Sequence, residues 1–158
     1  MKHLFSFVIA AFIGVATTNA ITAQTVAAAE EISDNLAETA PFLDAFDVNL
    51  GDFLWQKRVL VVFADTPADP RLAEQIEYFT DAKAATDERD LILIVDSDPA
   101  AKSDVRRKLR PRGFSFVLID KDGRTILRKA APWKMRELGR LIDKTTIRQQ
   151  ELRKSREE

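Results

Sequence analysis

The 158-residue chain contains no cysteine, and its single histidine is His3. The missing cysteine excludes disulfides, thiol redox chemistry, cysteine nucleophiles and lipid attachment through a cysteine. A long apolar run is missing too: the stretch over residues 4–15 falls short of the roughly 18 residues a membrane-spanning helix needs. It follows Lys2 and His3 and precedes the small residues Ala16, Ala20 and Ala23, which is the pattern of a cleaved export signal over residues 1–23. Cleavage after Ala20 or Ala23 removes His3 as well. The remaining chain then lacks both His and Cys, which excludes His-based triads, the usual zinc sites and haem ligation by those residues. No cofactor is expected, and stability must come from packing.

About 135 residues remain, enough for one domain with one core. Basic residues are missing from residues 28–52, where seven acids stand without a Lys or Arg. Residues 101–158 hold 18 basic and 8 acidic residues. Such asymmetry fits either an anionic partner or an acidic segment lying on a basic domain.

Residues 24–50 read as an Ala-rich acidic arm or linker, interrupted at Pro41. Val59, Leu60, Val61, Val62 and Phe63 run without a polar break, as in a strand buried on both faces. Leu72, Ile76 and Phe79 stand at helical spacing behind an Asp69 cap and Pro70 at the first helical position. A second apolar strand covers residues 91–95, and a short basic helix marked by Ala101, Val105 and Leu109 must stop before Pro111 and Gly113. A third strand over 114–119 enters an Asp122-Gly123 hairpin, so 125–128 should fold back antiparallel. Met135, Leu138, Leu141, Ile142 and Thr145 mark a last helix, and 148–158 read as a charged tail. Two helical crossovers and a hairpin predict an α/β domain over 51–147: a mixed four-stranded sheet flanked by helices, in the thioredoxin-like order.

The chain resembles a family of thioredoxin-like, peroxiredoxin-related proteins of no assigned activity. The family occurs in exported bacterial proteins and in vertebrate extracellular proteins with sushi repeats or of the coiled-coil-domain-containing group. The resemblance rests on Trp55-Gln56-Lys57-Arg58, Asp69-Pro70-Arg71, Leu118-Ile119-Asp120-Lys121-Asp122-Gly123, Pro132-Trp133, Leu141-Ile142-Asp143 and Arg148-Gln149-Gln150-Glu151-Leu152-Arg153. It spans roughly residues 50–153 and implies a fold, an exported setting and a turn without the thioredoxin cysteine pair.

That turn, residues 65–69, joins a strand end to a helix N-terminus. Thr66 and Arg71 could serve an anion or carboxylate there, with Asp69 as a third ligand-binding candidate; alternatively Asp69 caps the helix and Thr66 orders the turn. Asp96-Ser97-Asp98 lacks the continuation of a calcium loop and reads as a cap, and Asp120-Lys121-Asp122-Gly123 reads as a turn rather than a metal site. The basic run 106–112 has no interleaved aromatics, so nucleic acid is not expected; acidic lipid or polysaccharide, the acidic arm, or plain solvent remain. Trp55 and Trp133 are expected to close the ends of the sheet. Arg148, Gln150, Glu151 and Arg153 either dock a partner or salt-bridge back onto the domain.

These features predict an exported, periplasmic or secreted, binding or accessory module without thiol redox chemistry. Its partner would be a protein of the cell envelope, and no transmembrane segment would remain after signal removal. The alternatives are a Cys-free enzyme using Asp and Arg in residues 65–71, and a module held to the envelope electrostatically.

Overall fold

A computed structural model describes residues 42–157; the segment expected to be an export signal, residues 1–23, and the arm as far as Pro41 lie outside the described residues. Five strands form one sheet in the order β1-β3-β2-β4-β5: β1 (Leu43–Asp44), β2 (Arg58–Phe63), β3 (Leu91–Asp96), β4 (Ser115–Ile119) and β5 (Thr125–Lys129). β3 runs parallel to both β1 and β2, while β4 is antiparallel to β2 and β5. This is the thioredoxin-like arrangement, with one strand more than the four expected. The additional strand comes from the arm: Leu43 and Asp44 pair with Ile94 and Val95. Two residues are too few to carry a periodic pattern, so only the edge of β3 defines them as a strand.

The helices are α1 (Pro70–Asp81), α2 (Lys83–Asp87), α3 (Asp104–Leu109), α4 (Met135–Ile142) and α5 (Thr146–Glu157). Every residue of β2 and β4 is buried, which explains why their sequences show no alternation. Leu60, Val62, Leu93 and Phe116 face Leu72 and Phe79 of α1 and Leu138 and Ile142 of α4. On the opposite face, Val61, Phe63, Ile94 and Val117 meet Val105 of α3 and Leu50. Leu60, Phe116, Leu118 and Leu138 are each fully buried. Each contributes about 1.5–3 kcal/mol relative to an exposed position, and with no cysteine in the chain it is such burial rather than disulfides that holds the fold.

Gln75, also fully buried, ties the loop before α4 to α1. Its Oε1 accepts from Trp133 N at 2.7 Å and its Nε2 donates to Trp133 O at 3.2 Å. The Trp133 ring meets Phe116 edge-on at 6.5 Å, closing that side of the core as expected. Trp55 does not: it is 71% exposed, with a left-handed φ of 62°. Its N–H donates to Lys121 O at 2.7 Å, and it is Leu54 that lies over the hairpin.

The Asp122-Gly123 hairpin forms as its sequence predicts. Gly123 has φ 83°, and an added Cβ would stand 2.9 Å from Leu54 Cδ2. The leucine tip can swing away, so the backbone conformation sets the penalty. Gly123→Ala is expected to cost about 1–2 kcal/mol in urea unfolding. The same loss in a Leu54→Ala background would assign it to the backbone; its disappearance there would assign it to the side-chain contact.

Candidate functional site

The parallel strands β2 and β3 end beside the turn into α1, and the start of β4 lies next to them. Open α/β sheets place ligands at such strand ends. Asp69 caps α1, its Oδ1 accepting from Arg71 N at 2.9 Å. The Arg71 side chain then closes on the same carboxylate, with Nε to Oδ1 at 3.0 Å and Nη2 to Oδ2 at 2.6 Å. The Arg71 guanidinium also lies 4.9 Å over the Phe114 ring. Thr66 Oγ1 accepts from Ala68 N at 3.3 Å and orders the turn.

The three ligand-binding candidates Thr66, Asp69 and Arg71 therefore come together, but Asp69 and Arg71 are spent on each other. The hydrogen bond from Arg71 holds the Asp69 carboxyl below the usual carboxylate value, and the reciprocal bond raises Arg71. A carboxylate in this state stays ionised, has little tendency to accept a proton and has both oxygens occupied. At the end of β3, Asp98 caps the short turn at Pro99–Ala101 by accepting from Ala100 N at 2.8 Å.

The C-terminal candidates divide differently. Arg148 is buried, donating through Nη2 to Glu88 at 2.9 Å, with Asp143 3.6 Å from its Nε. Glu151 receives both terminal nitrogens of Arg58, at 3.1 and 3.2 Å, and the Lys121 ammonium at 2.8 Å. Gln150 and Arg153 remain exposed. Of the two readings for this segment, salt bridging back onto the domain describes Arg148 and Glu151.

Arg58, heading an otherwise apolar strand, is the hub that sequence reasoning passed over. Its side chain is fully buried, and Nη1 also donates to Arg89 O at 2.9 Å. Asp120 Oδ1 stands 2.9 Å from Nε, off the N–H axis, so the contact is an ion pair without an aligned hydrogen bond. Lys121 continues the chain of charges to Asp90 at 2.8 Å, and Asp90 to Lys57 at 3.0 Å. Burial pushes the Glu151 carboxyl up, but the bonds from Lys121 and Arg58 outweigh it and hold it below its usual value. The one signal available in advance was an arginine at the head of a five-residue apolar run.

The basic run 106–112 also splits. Arg106 turns inward, gripping Asp96 Oδ1 through Nε at 2.9 Å and Nη2 at 2.6 Å, over the Phe63 ring. Arg107 pairs with Asp104. Arg110 and Arg112 instead line a groove of about 420 Å³, joined there by Arg128 and Lys129 of β5 and floored by Phe114 and Ser115. A second cavity of about 230 Å³, between Leu54, Leu109, Lys57 and Lys108, is part apolar and reaches the already paired Asp120.

Among the described residues, no group of three or more His, Cys, Asp or Glu side chains is placed to hold a metal ion. No helix of the described residues is long and apolar enough to cross a membrane.

A family described as "Domain of unknown function (DUF4174)" matches residues 49–151. No curated protein matches the chain. Among solved structures, the reduced 2-Cys peroxiredoxin of Plasmodium vivax is similar at 24% identity and a TM-score of 0.48, covering 61% of this chain and 81% of its own. Chloroplastic thioredoxin z is similar at 15% identity and a TM-score of 0.43, covering 72% and 85%. The mitochondrial 2-Cys peroxiredoxin of Plasmodium falciparum has 18% identity and a TM-score of 0.43, covering 61% and 79%.

Proposed function

Because the chain belongs to the DUF4174 family, we propose that it is an exported, thioredoxin-like binding or accessory module of the cell envelope. It lacks the thiols of redox chemistry, since the sequence has no cysteine. The observation that carries the binding reading is the closed Asp69–Arg71 pair at the strand-to-helix turn. The carboxylate that would have to move a proton is capped, ionised and doubly hydrogen-bonded. On this reading the scaffold presents surface rather than chemistry. Its partner is a protein met through the exposed side of α5, where Gln150 and Arg153 are accessible.

In-cell crosslinking followed by mass spectrometry of the recovered chain tests the reading. The expected N-terminus is Ile21 or Gln24, following cleavage after Ala20 or Ala23. One abundant envelope protein should be captured and should diminish with Arg153→Ala, whose side chain the fold does not need. Retention of residues 1–23 in the soluble chain would overturn export. Capture indifferent to Arg153 would overturn the α5 surface, and recovery of the bare chain would overturn the protein partner.

A further inference from the structure

Arg58, Arg71, Arg89, Arg106 and Arg148 each have a carboxylate within ion-pair distance. Arg110, Arg112 and Arg128 have none among the described residues, although they gather with Lys129 around one concavity. No carboxylate lines that groove. Three guanidinium groups lining one space repel each other and raise the local concentration of anions.

Several features make this more than a solvated basic face. Arg128 is held in place by a hydrogen bond from Nη2 to Leu109 O at 2.9 Å. The Lys129 ammonium turns to the opposite face of β5, 5.4 Å from the Trp133 ring, so the charge of the groove rests on the three arginines. Arg110 occupies the left-handed region at φ 47°, a conformation that costs a non-glycine residue energy, and this conformer ends α3 beside the groove. Ser115, only 5% exposed, lines the inner wall, and its hydroxyl has no hydrogen-bond partner among the described residues. The carbonyl end of α3 would repel an anion, but two of its acceptors are answered: Leu109 O by Arg128, and Arg106 O by the Arg110 N–H at 2.8 Å.

A single carboxylate would neutralise one of the three charges. A phosphate group carrying two or more charges matches the set better, because planar guanidinium forks bind tetrahedral oxyanions in pairs and the serine adds a short-range donor. We propose that the groove between residues 110–115 and the end of β5 binds a multiply charged phosphate group. The inference deepens the binding reading by giving the module a ligand class, yet it requires neither export nor a protein partner.

Calorimetric titration of the purified protein with inorganic pyrophosphate tests it, beside flotation with phosphatidylcholine vesicles with and without phosphatidic acid. The expected result is saturable 1:1 pyrophosphate binding, weakened about tenfold or more by Arg112→Ala and by Arg128→Ala. Arg112→Glu should abolish it, while Lys154→Ala on exposed α5 should leave it unchanged. Arg112 makes no side-chain hydrogen bond or ion pair with the described residues, so its variants should melt like the parent. Binding confined to phosphatidic acid vesicles and lost in the same variants would support the site with a lipid-borne phosphate. Absence of both, or binding that survives Arg112→Glu, would overturn the inference. A crosslinked protein partner recovered in that case would leave the module reading standing.

Discussion

Arg58→Ala should lower the unfolding free energy by about 3–5 kcal/mol, read from urea denaturation at neutral pH. The guanidinium is fully buried and is shared by Glu151, Asp120 and the Arg89 carbonyl. Deleting it leaves a cavity at the head of β2 and strips a counter-charge from Asp120, which is only 7% exposed. Glu151 fares better, because Lys121 still reaches it. Breaking one side of a buried ion pair is costly, whereas replacing both sides with neutral groups of similar volume is not. Arg58→Met combined with Asp120→Asn should therefore recover much of the loss. A change below about 1 kcal/mol for Arg58→Ala would mean that the network does not hold α5 against the sheet.

The same network sets an acid limit. For Glu151, the folded-state value lies below its usual 4.5, so its contribution is present above that value and is lost as pH falls through the folded one. Asp90 acts in the same direction below 3.8: burial raises it, but the bonds from Lys121 and Lys57 overcome that effect. Glu151→Gln should flatten the decline of stability in that acidic window.

Asp96→Ala is the second large effect, with an expected loss of about 3–5 kcal/mol concentrated around α3. Asp96 Oδ1 takes two bonds from Arg106, while Oδ2 accepts from Ser103 Oγ at 2.6 Å. Ser103 in turn caps α3 through Arg106 N at 3.0 Å. Losing the carboxylate leaves Arg106 with only the carbonyls of Ala64 and residue 96, at 3.0 and 3.1 Å, and leaves the cap without its anchor. Amide exchange should accelerate across residues 97–112 before the rest of the domain responds. Asp96→Asn, which keeps an acceptor for Ser103, should lose less. Uniform exchange across the fold would show that Asp96 does not support α3 specifically.

The polar residues that carry these effects were the hardest to assign from sequence. Arg148 and Glu151 lie in a helix whose composition suggests a solvated tail, yet Arg148 is buried. Periodicity could not reveal this, because burial of a charge depends on its partner, and Arg58 is 93 residues from Glu151. The groove shows the same division. Arg110 and Arg112 belonged to a visible basic run, whereas Arg128 and Lys129 join them through the β4–β5 register, opposite Val117 and Phe116. Trp55 was misplaced for the converse reason: a large aromatic predicts burial, but its left-handed backbone turns it outward and Leu54 takes the covering position.

What the sequence determined by itself was local. The unbroken apolar runs became β2, β3 and β4; Asp69 and Pro70 opened α1; Asp122-Gly123 closed the hairpin; and the absence of cysteine removed thiol chemistry. Each of these follows from side-chain volume, backbone freedom or a missing atom within a few residues. Only the tertiary structure decided which charges cancel and which stay free. Coulombic attraction and desolvation act over distances in space, and the sheet topology, not the spacing along the chain, sets those distances.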